Sequence, residues 1–79
     1  MTIEQILKSK AIRYLSWVEP WPAIDSNNDT IYGHVTLRAT VQDCINMQRA
    51  ANNKNCITAK YTDLQLLNDF IIINWAKIE

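Results

Sequence analysis

Gln42-Asp43-Cys44-Ile45-Asn46-Met47-Gln48-Arg49-Ala50-Ala51-Asn52-Asn53-Lys54-Asn55 has two readings, and the strand count of the whole chain turns on them. Cys44, Ile45 and Met47 with Ala50 and Ala51 line one side of a helix, whereas Cys44 with Asn46 and Ile45 with Met47 alternate as in a strand. Asn52-Asn53-Lys54-Asn55 ends either element as a turn. Beyond it, Cys56-Ile57-Thr58-Ala59-Lys60 reads as a short strand, and Thr62 caps a helix that starts at Asp63, an acid where the helix dipole favours one. Leu64, Leu66 and Leu67 give that helix its apolar side. The run Phe70-Ile71-Ile72-Ile73-Asn74-Trp75-Ala76-Lys77-Ile78 begins as continuous β-branched residues and ends in alternation, which predicts a central strand covered on both faces.

On the N-terminal side of the same stretch, residues 30–41 set Val35, Leu37, Ala39 and Val41 against His34, Thr36, Arg38 and Thr40, the alternation of a strand. Gly33 inside it suggests a bulge or a close backbone approach. Ser26-Asn27-Asn28-Asp29 is dense in turn formers, and Pro20-Trp21-Pro22, two of whose residues have no donor, is expected to lie in the loop before it. From Ala11 to Val18 the period is two again, with Arg13, Leu15 and Trp17 on one side. Thr2 and Gln5 have the spacing of a capping box, and Ile3, Ile6 and Leu7 follow at helical spacing, so a short helix over residues 3–9 opens the chain. The expected fold is a single α+β domain, residues 1–79, with a small antiparallel sheet of about five strands, a short N-terminal helix and a second short helix before the last strand.

Composition narrows the function. With 79 residues, 8 Lys+Arg against 8 Asp+Glu and one histidine, the chain has no basic surplus with which to grip a nucleic acid polymer through many phosphates. A domain of this size buries only about 60 to 65% of its unfolded surface, which favours oligomerisation over a self-contained catalytic cleft. No run approaches the roughly 20 apolar residues of a membrane span, and Met1-Thr2-Ile3-Glu4 lacks the start of a signal peptide, so a cytosolic protein with Cys44 and Cys56 as free thiols is expected. No Cys/His cluster suggests zinc, one glycine cannot make a phosphate-cradling loop, and the carboxylates have no spacing that pairs them for acid/base work. No enzyme and no cofactor is expected. The remaining resource is aromatic: Trp17, Trp21 and Trp75 with Tyr14, Tyr32 and Tyr61. Trp17 shares a strand face with Arg13, and a base can stack on such a ring while the guanidinium takes its phosphate. Trp75, in the apolar C-terminal run, is expected in the core, while Trp17 suits core and ligand equally.

Four stretches carry a resemblance to a known family: Ile3-Glu4-Gln5-Ile6-Leu7-Lys8, Ile12-Arg13-Tyr14-Leu15-Ser16-Trp17, Ile45-Asn46-Met47 and Thr62-Asp63-Leu64-Gln65-Leu66-Leu67-Asn68-Asp69-Phe70. Together they resemble the phage anti-Thoeris sponge family, the second type of Thoeris anti-defence protein. Phe70 stands where that family has tryptophan, and the loop over residues 19–29 is shorter than the family's middle. The resemblance implies that Cys44 to Arg49 and Cys56 to Lys60 are two arms of a hairpin. It further implies a homo-oligomer, a tetramer, that works in the host cytoplasm by binding and sequestering a cyclic nucleotide immune signal, a cyclic ADP-ribose isomer or relative, without cleaving it. By position, Trp17 would stack on the adenine, Arg13 would face phosphate, and Thr62, Asp63 and Asn68 would shape the pocket, with Trp21 as a further ligand-binding candidate. The alternative of another class is a phage inhibitor that binds a host defence protein directly, as anti-CRISPR proteins do.

Overall fold

The computed structural model describes residues 2–57 and 59–79. Its elements are α1 (Ile3–Lys8), β1 (Tyr14–Ile24), β2 (Thr30–Thr40), α2 (Val41–Lys54), α3 (Asp63–Asn74) and β3 (Lys77–Ile78). The α+β class and the antiparallel sheet are as expected, but the sheet has three strands, in the order β2-β1-β3. It carries the helices on one face.

The capping signals translate directly into helix starts. The Thr2 hydroxyl accepts from Gln5 N while the Gln5 side chain accepts from Thr2 N, and Thr62 and Gln65 repeat the arrangement at the start of α3. Asp25 makes the hairpin turn by accepting from Asn27 N and Asp29 N, both at 2.9 Å, and Asn28 takes the left-handed conformation at φ 64°.

Two expected strands are helices instead. Residues 44–49 lie inside α2, which buries Cys44, Ile45, Gln48 and Asn52; these fall on one helical face, so packing resolves the ambiguous stretch against a hairpin. Thr40 starts α2 by accepting from Asp43 N at 3.1 Å. Phe70 to Asn74 continues α3, because Leu66, Leu67 and Phe70 recur at helical spacing and all three are buried; that packing overrides the strand preference of the three isoleucines. Trp75 ends α3 in the left-handed conformation, φ 53°, and only Lys77–Ile78 pair with β1. Of the expected strand at residues 56–60, Thr58 lies outside the described residues and the others take no strand structure.

Pro20, Trp21 and Pro22 do not form a loop. They lie within β1, which pairs with β2 without a break from Tyr14↔Thr40 to Ile24↔Thr30. The bonds that flank the hairpin explain why. Asp25 N donates to Asp29 O at one end and Val41 N to Arg13 O at the other, so the odd positions of β1 bond β2. The even positions point away from it, and Tyr14 O accordingly accepts from Glu79 N on the β3 side. Both prolines occupy even positions beyond the end of β3, where a missing N–H breaks nothing. Gly33 likewise forms no bulge: it sits in register opposite Trp21, and an added Cβ would meet only Trp21 O at 4.0 Å.

The core joins Leu15 and Trp17 of β1 to Cys44 and Ile45 of α2, Leu66, Leu67 and Phe70 of α3, and Ala76. Trp17 is 6% exposed and meets Phe70 edge-on, with ring centroids 5.0 Å apart and an 89° interplanar angle. Trp75, expected in the core, is 87% exposed, since its cap position turns the ring outward.

Candidate functional site

The helices cover only the base of the hairpin. Along the face that buries Leu15 and Trp17, the next residues of β1 are Glu19, Trp21 and Ala23, opposite Val35, Gly33 and Ile31 of β2, and all are exposed. The opposite face carries Val18, Pro20, Pro22 and Ile24 against Thr36, His34, Tyr32 and Thr30, and it is exposed too. The outer half of the hairpin is therefore an arm, apolar on both sides, projecting from a molecule 50 Å long and 15 Å thick. Trp21 is 65% exposed and Tyr32 72%. Lone surface hydrophobics need no explanation, but this hairpin exposes Trp21, Ile31 and Val35 on one face and Val18, Ile24 and Tyr32 on the other, a concentration of the kind that marks an interaction site. Its polar atoms are few, so it suits shape and burial more than proton transfer.

The residues expected to form a nucleotide pocket are dispersed. Trp17 is packed in the core, and its Nε1 donates to Glu19 Oε1 at 2.9 Å, leaving no open ring face for a base. Arg13 borders a groove between α1 and the start of α2, with Ile6, Leu7 and Thr40, and its buried Nε has no partner among the described residues. Trp21 is on the arm. Thr62 serves α3 as its cap, Asp63 pairs with Arg49 at 3.0 Å, and Asn68 is exposed on α3. Of the four main grooves among the described residues, none is lined by two of these six.

A different groove, of about 590 Å³, opens where α2 and α3 diverge. Arg49, Asn52, Asn53, Lys60 and Tyr61 line it, a mixture of cations, amides and one ring that could receive a small polar ligand. Asn52 is buried there and accepts from Gln48 Nε2 at 3.0 Å. Its sequence signal is the Asn-rich stretch, which by itself reads only as a turn. Among the described residues, no three His, Cys, Asp or Glu side chains gather to hold a metal, and no helix is long and apolar enough to cross a membrane.

The two thiols differ. Cys56 is exposed, whereas Cys44 is buried and its thiol is pushed up to about 11, first by burial and then by the Asp43 carboxylate. An Ellman titration of the native protein at neutral pH should count one thiol, and two after unfolding. Because the folded-state value lies above the unfolded one, keeping Cys44 protonated favours folding fully below about pH 9, and this contribution disappears as pH rises through about 11. A base-induced transition that Cys44→Ala leaves unchanged would contradict that assignment.

Thr62 is expected to act through stability alone. Thr62→Ala should cost about 0.5 to 2 kcal/mol, the usual worth of such a cap, read as a lower urea midpoint with unchanged slope.

The chain matches no protein-family model, no curated protein and no solved structure. The resemblance to the sponge family thus stands on its four stretches of sequence alone.

Proposed function

We propose that this chain is a non-catalytic binding protein that docks its hairpin arm on another protein, and that it is an anti-defence inhibitor occupying a host defence protein. The observation that carries this reading is the arm itself: two eleven-residue strands extend well past the helices and keep an apolar surface in water on both faces. Aromatic residues such as Trp21 and Tyr32 are the anchors that dominate protein interfaces. A chain of this kind needs no acid/base pair, because occupancy alone blocks its target. The test is expression in bacterial strains that each carry one defence system, with phage plating as the readout. Restored plating in a defended strain, lost in a Trp21→Ser/Ile31→Ser variant, supports the reading; retained plating in that variant speaks against it.

The sponge reading comes second, and the groove between α2 and α3 favours it. Arg49 and Lys60 would meet phosphates, and Tyr61 with the Asn52 and Asn53 amides would meet a base and ribose. It places the ligand on residues other than Arg13 and Trp17. A cyclic ADP-ribose isomer bound this way at a hundred times its Kd would raise the melting temperature by about 10 to 20 °C. No shift with any isomer removes this reading and leaves the arm as the functional surface.

A further inference from the structure

We infer that the free edge of β2 pairs antiparallel with the same edge of a second copy, joining two sheets into one of six strands in the order β3-β1-β2-β2-β1-β3.

The two open edges of the sheet are built differently. Past the end of β3, the outward positions of β1 are Val18, Pro20, Pro22 and Ile24, and two of these four have no N–H to offer. Prolines on an edge are a device that prevents a further strand from adding. By the same parity, the outward positions of β2 are Thr30, Tyr32, His34, Thr36, Arg38 and Thr40. Each keeps its donor, all but Thr40, whose carbonyl starts the hydrogen bonding of α2, keep a free acceptor, none is proline or lysine, and among the described residues no strand pairs along that side. One edge is closed to pairing and the other is an open template, about 36 Å long at about 3.3 Å per residue.

The arm also needs it. Outside the helices it is a two-stranded ribbon wet on both faces, and such a hairpin is marginal in water until further strands join it. Pairing β2 with β2, with Val35 on the two-fold axis, gives partners to the outward groups between Thr30 and Arg38 and lays each arm against the helix-covered base of the other copy. The pairing is self-complementary. Thr30 meets Thr40 of the partner subunit, His34 meets the partner's Thr36, and Tyr32 meets the partner's Arg38, so no like charges oppose. Arg38 already lies 3.7 Å from the centroid of the Tyr14 ring, and Tyr32 of the partner subunit would flank its other side. On the opposite face Ile31 meets the partner's Ala39 and Gly33 the partner's Leu37, apolar against apolar. This inference does not rest on the docking function: it is carried by the backbone groups of the β2 edge, although Ile31, Tyr32 and Val35 of the arm also lie on β2 and would border the pairing.

The experiment is light scattering on the purified parent chain and two variants at micromolar concentration, with circular dichroism as the check of folding. His34→Pro removes one outward donor and mirrors Pro20, its partner across the hairpin, so its bonds within the sheet stay intact. Thr36→Lys keeps every donor but places a cation beside the two-fold axis. The parent should have twice the 9.2 kDa mass of the chain, and folded His34→Pro should be monomeric, its dissociation constant raised at least tenfold. Should His34→Pro fail to fold, Thr36→Lys, an exposed substitution, decides in its place and should be monomeric too. A monomeric parent overturns the inference, and so does a folded deciding variant that remains dimeric.

Discussion

Trp17→Ala is expected to lower folding stability by about 3 to 5 kcal/mol, more than the loss of a helix cap or of any exposed side chain on the arm. The ring is 6% exposed, packs edge-on against Phe70 and is the one large aromatic that β1 gives the core. Removing it opens a cavity among Leu15, Leu67 and Phe70 and leaves Glu19 without the Nε1 donor. A domain of this size has only about 4 to 12 kcal/mol to lose, so the variant should be largely unfolded or melt at a much lower temperature. Urea denaturation of parent and variant measures the difference. A loss below about 1 kcal/mol would mean that Trp17 is not the core residue described and would return it to the candidate ligand set.

The second large effect is expected at the opposite end of the same strand, and in binding instead of folding. Trp21 and Ile31 lie on one face of the arm, and both are at least half exposed. Replacing both with serine should change folding stability by no more than roughly 1 kcal/mol, since surface substitutions of this kind usually stay within about 0.5 kcal/mol each. If the arm is the docking surface, the pair includes an aromatic anchor, and truncating an anchor costs about 2 kcal/mol or more, roughly thirtyfold in affinity. The contrast between Trp17, which should decide folding, and Trp21, which should decide binding, is the sharpest consequence of this fold. A variant that melts like the parent and still blocks defence would place the docking surface elsewhere.

Local chemistry makes parts of this fold legible in the sequence. The Thr2–Gln5 capping box, the cap at Thr62, the turn over residues 26–29 and the strand that begins at Thr30 follow from short-range signals that need no tertiary partner. Sequence and structure part where packing decides. Ile71, Ile72 and Ile73 favour a strand in isolation, but Leu66, Leu67 and Phe70 commit the segment to a helix once its face is buried. The prolines at 20 and 22 exclude a strand only if their nitrogens face a neighbour, and that depends on β3 being two residues long. Trp17 and Trp75 carry similar local signals, yet one lies under α3 and the other caps it. The candidate site is legible only in part. Trp21 stands out by its aromatic ring and does lie on the exposed arm, whereas Thr62 and Asp63 belong to a motif whose local work is to start a helix and pair with Arg49. The arm as a whole has its signal in apolar residues at both parities, Val18, Trp21 and Ile24 on one strand and Ile31, Tyr32 and Val35 on the other, over more length than three short helices can cover.

The most direct test of the docking surface is site-specific photocrosslinking in defended bacteria, with a benzophenone side chain placed at position 21 in one variant and at position 54, the far end of α2, in another. Position 21 should give an adduct heavier than a crosslinked pair of this chain, containing one defence protein, and position 54 should not. Adducts of equal yield from both positions, or none from position 21 while the chain still blocks defence, would contradict the arm as the docking surface.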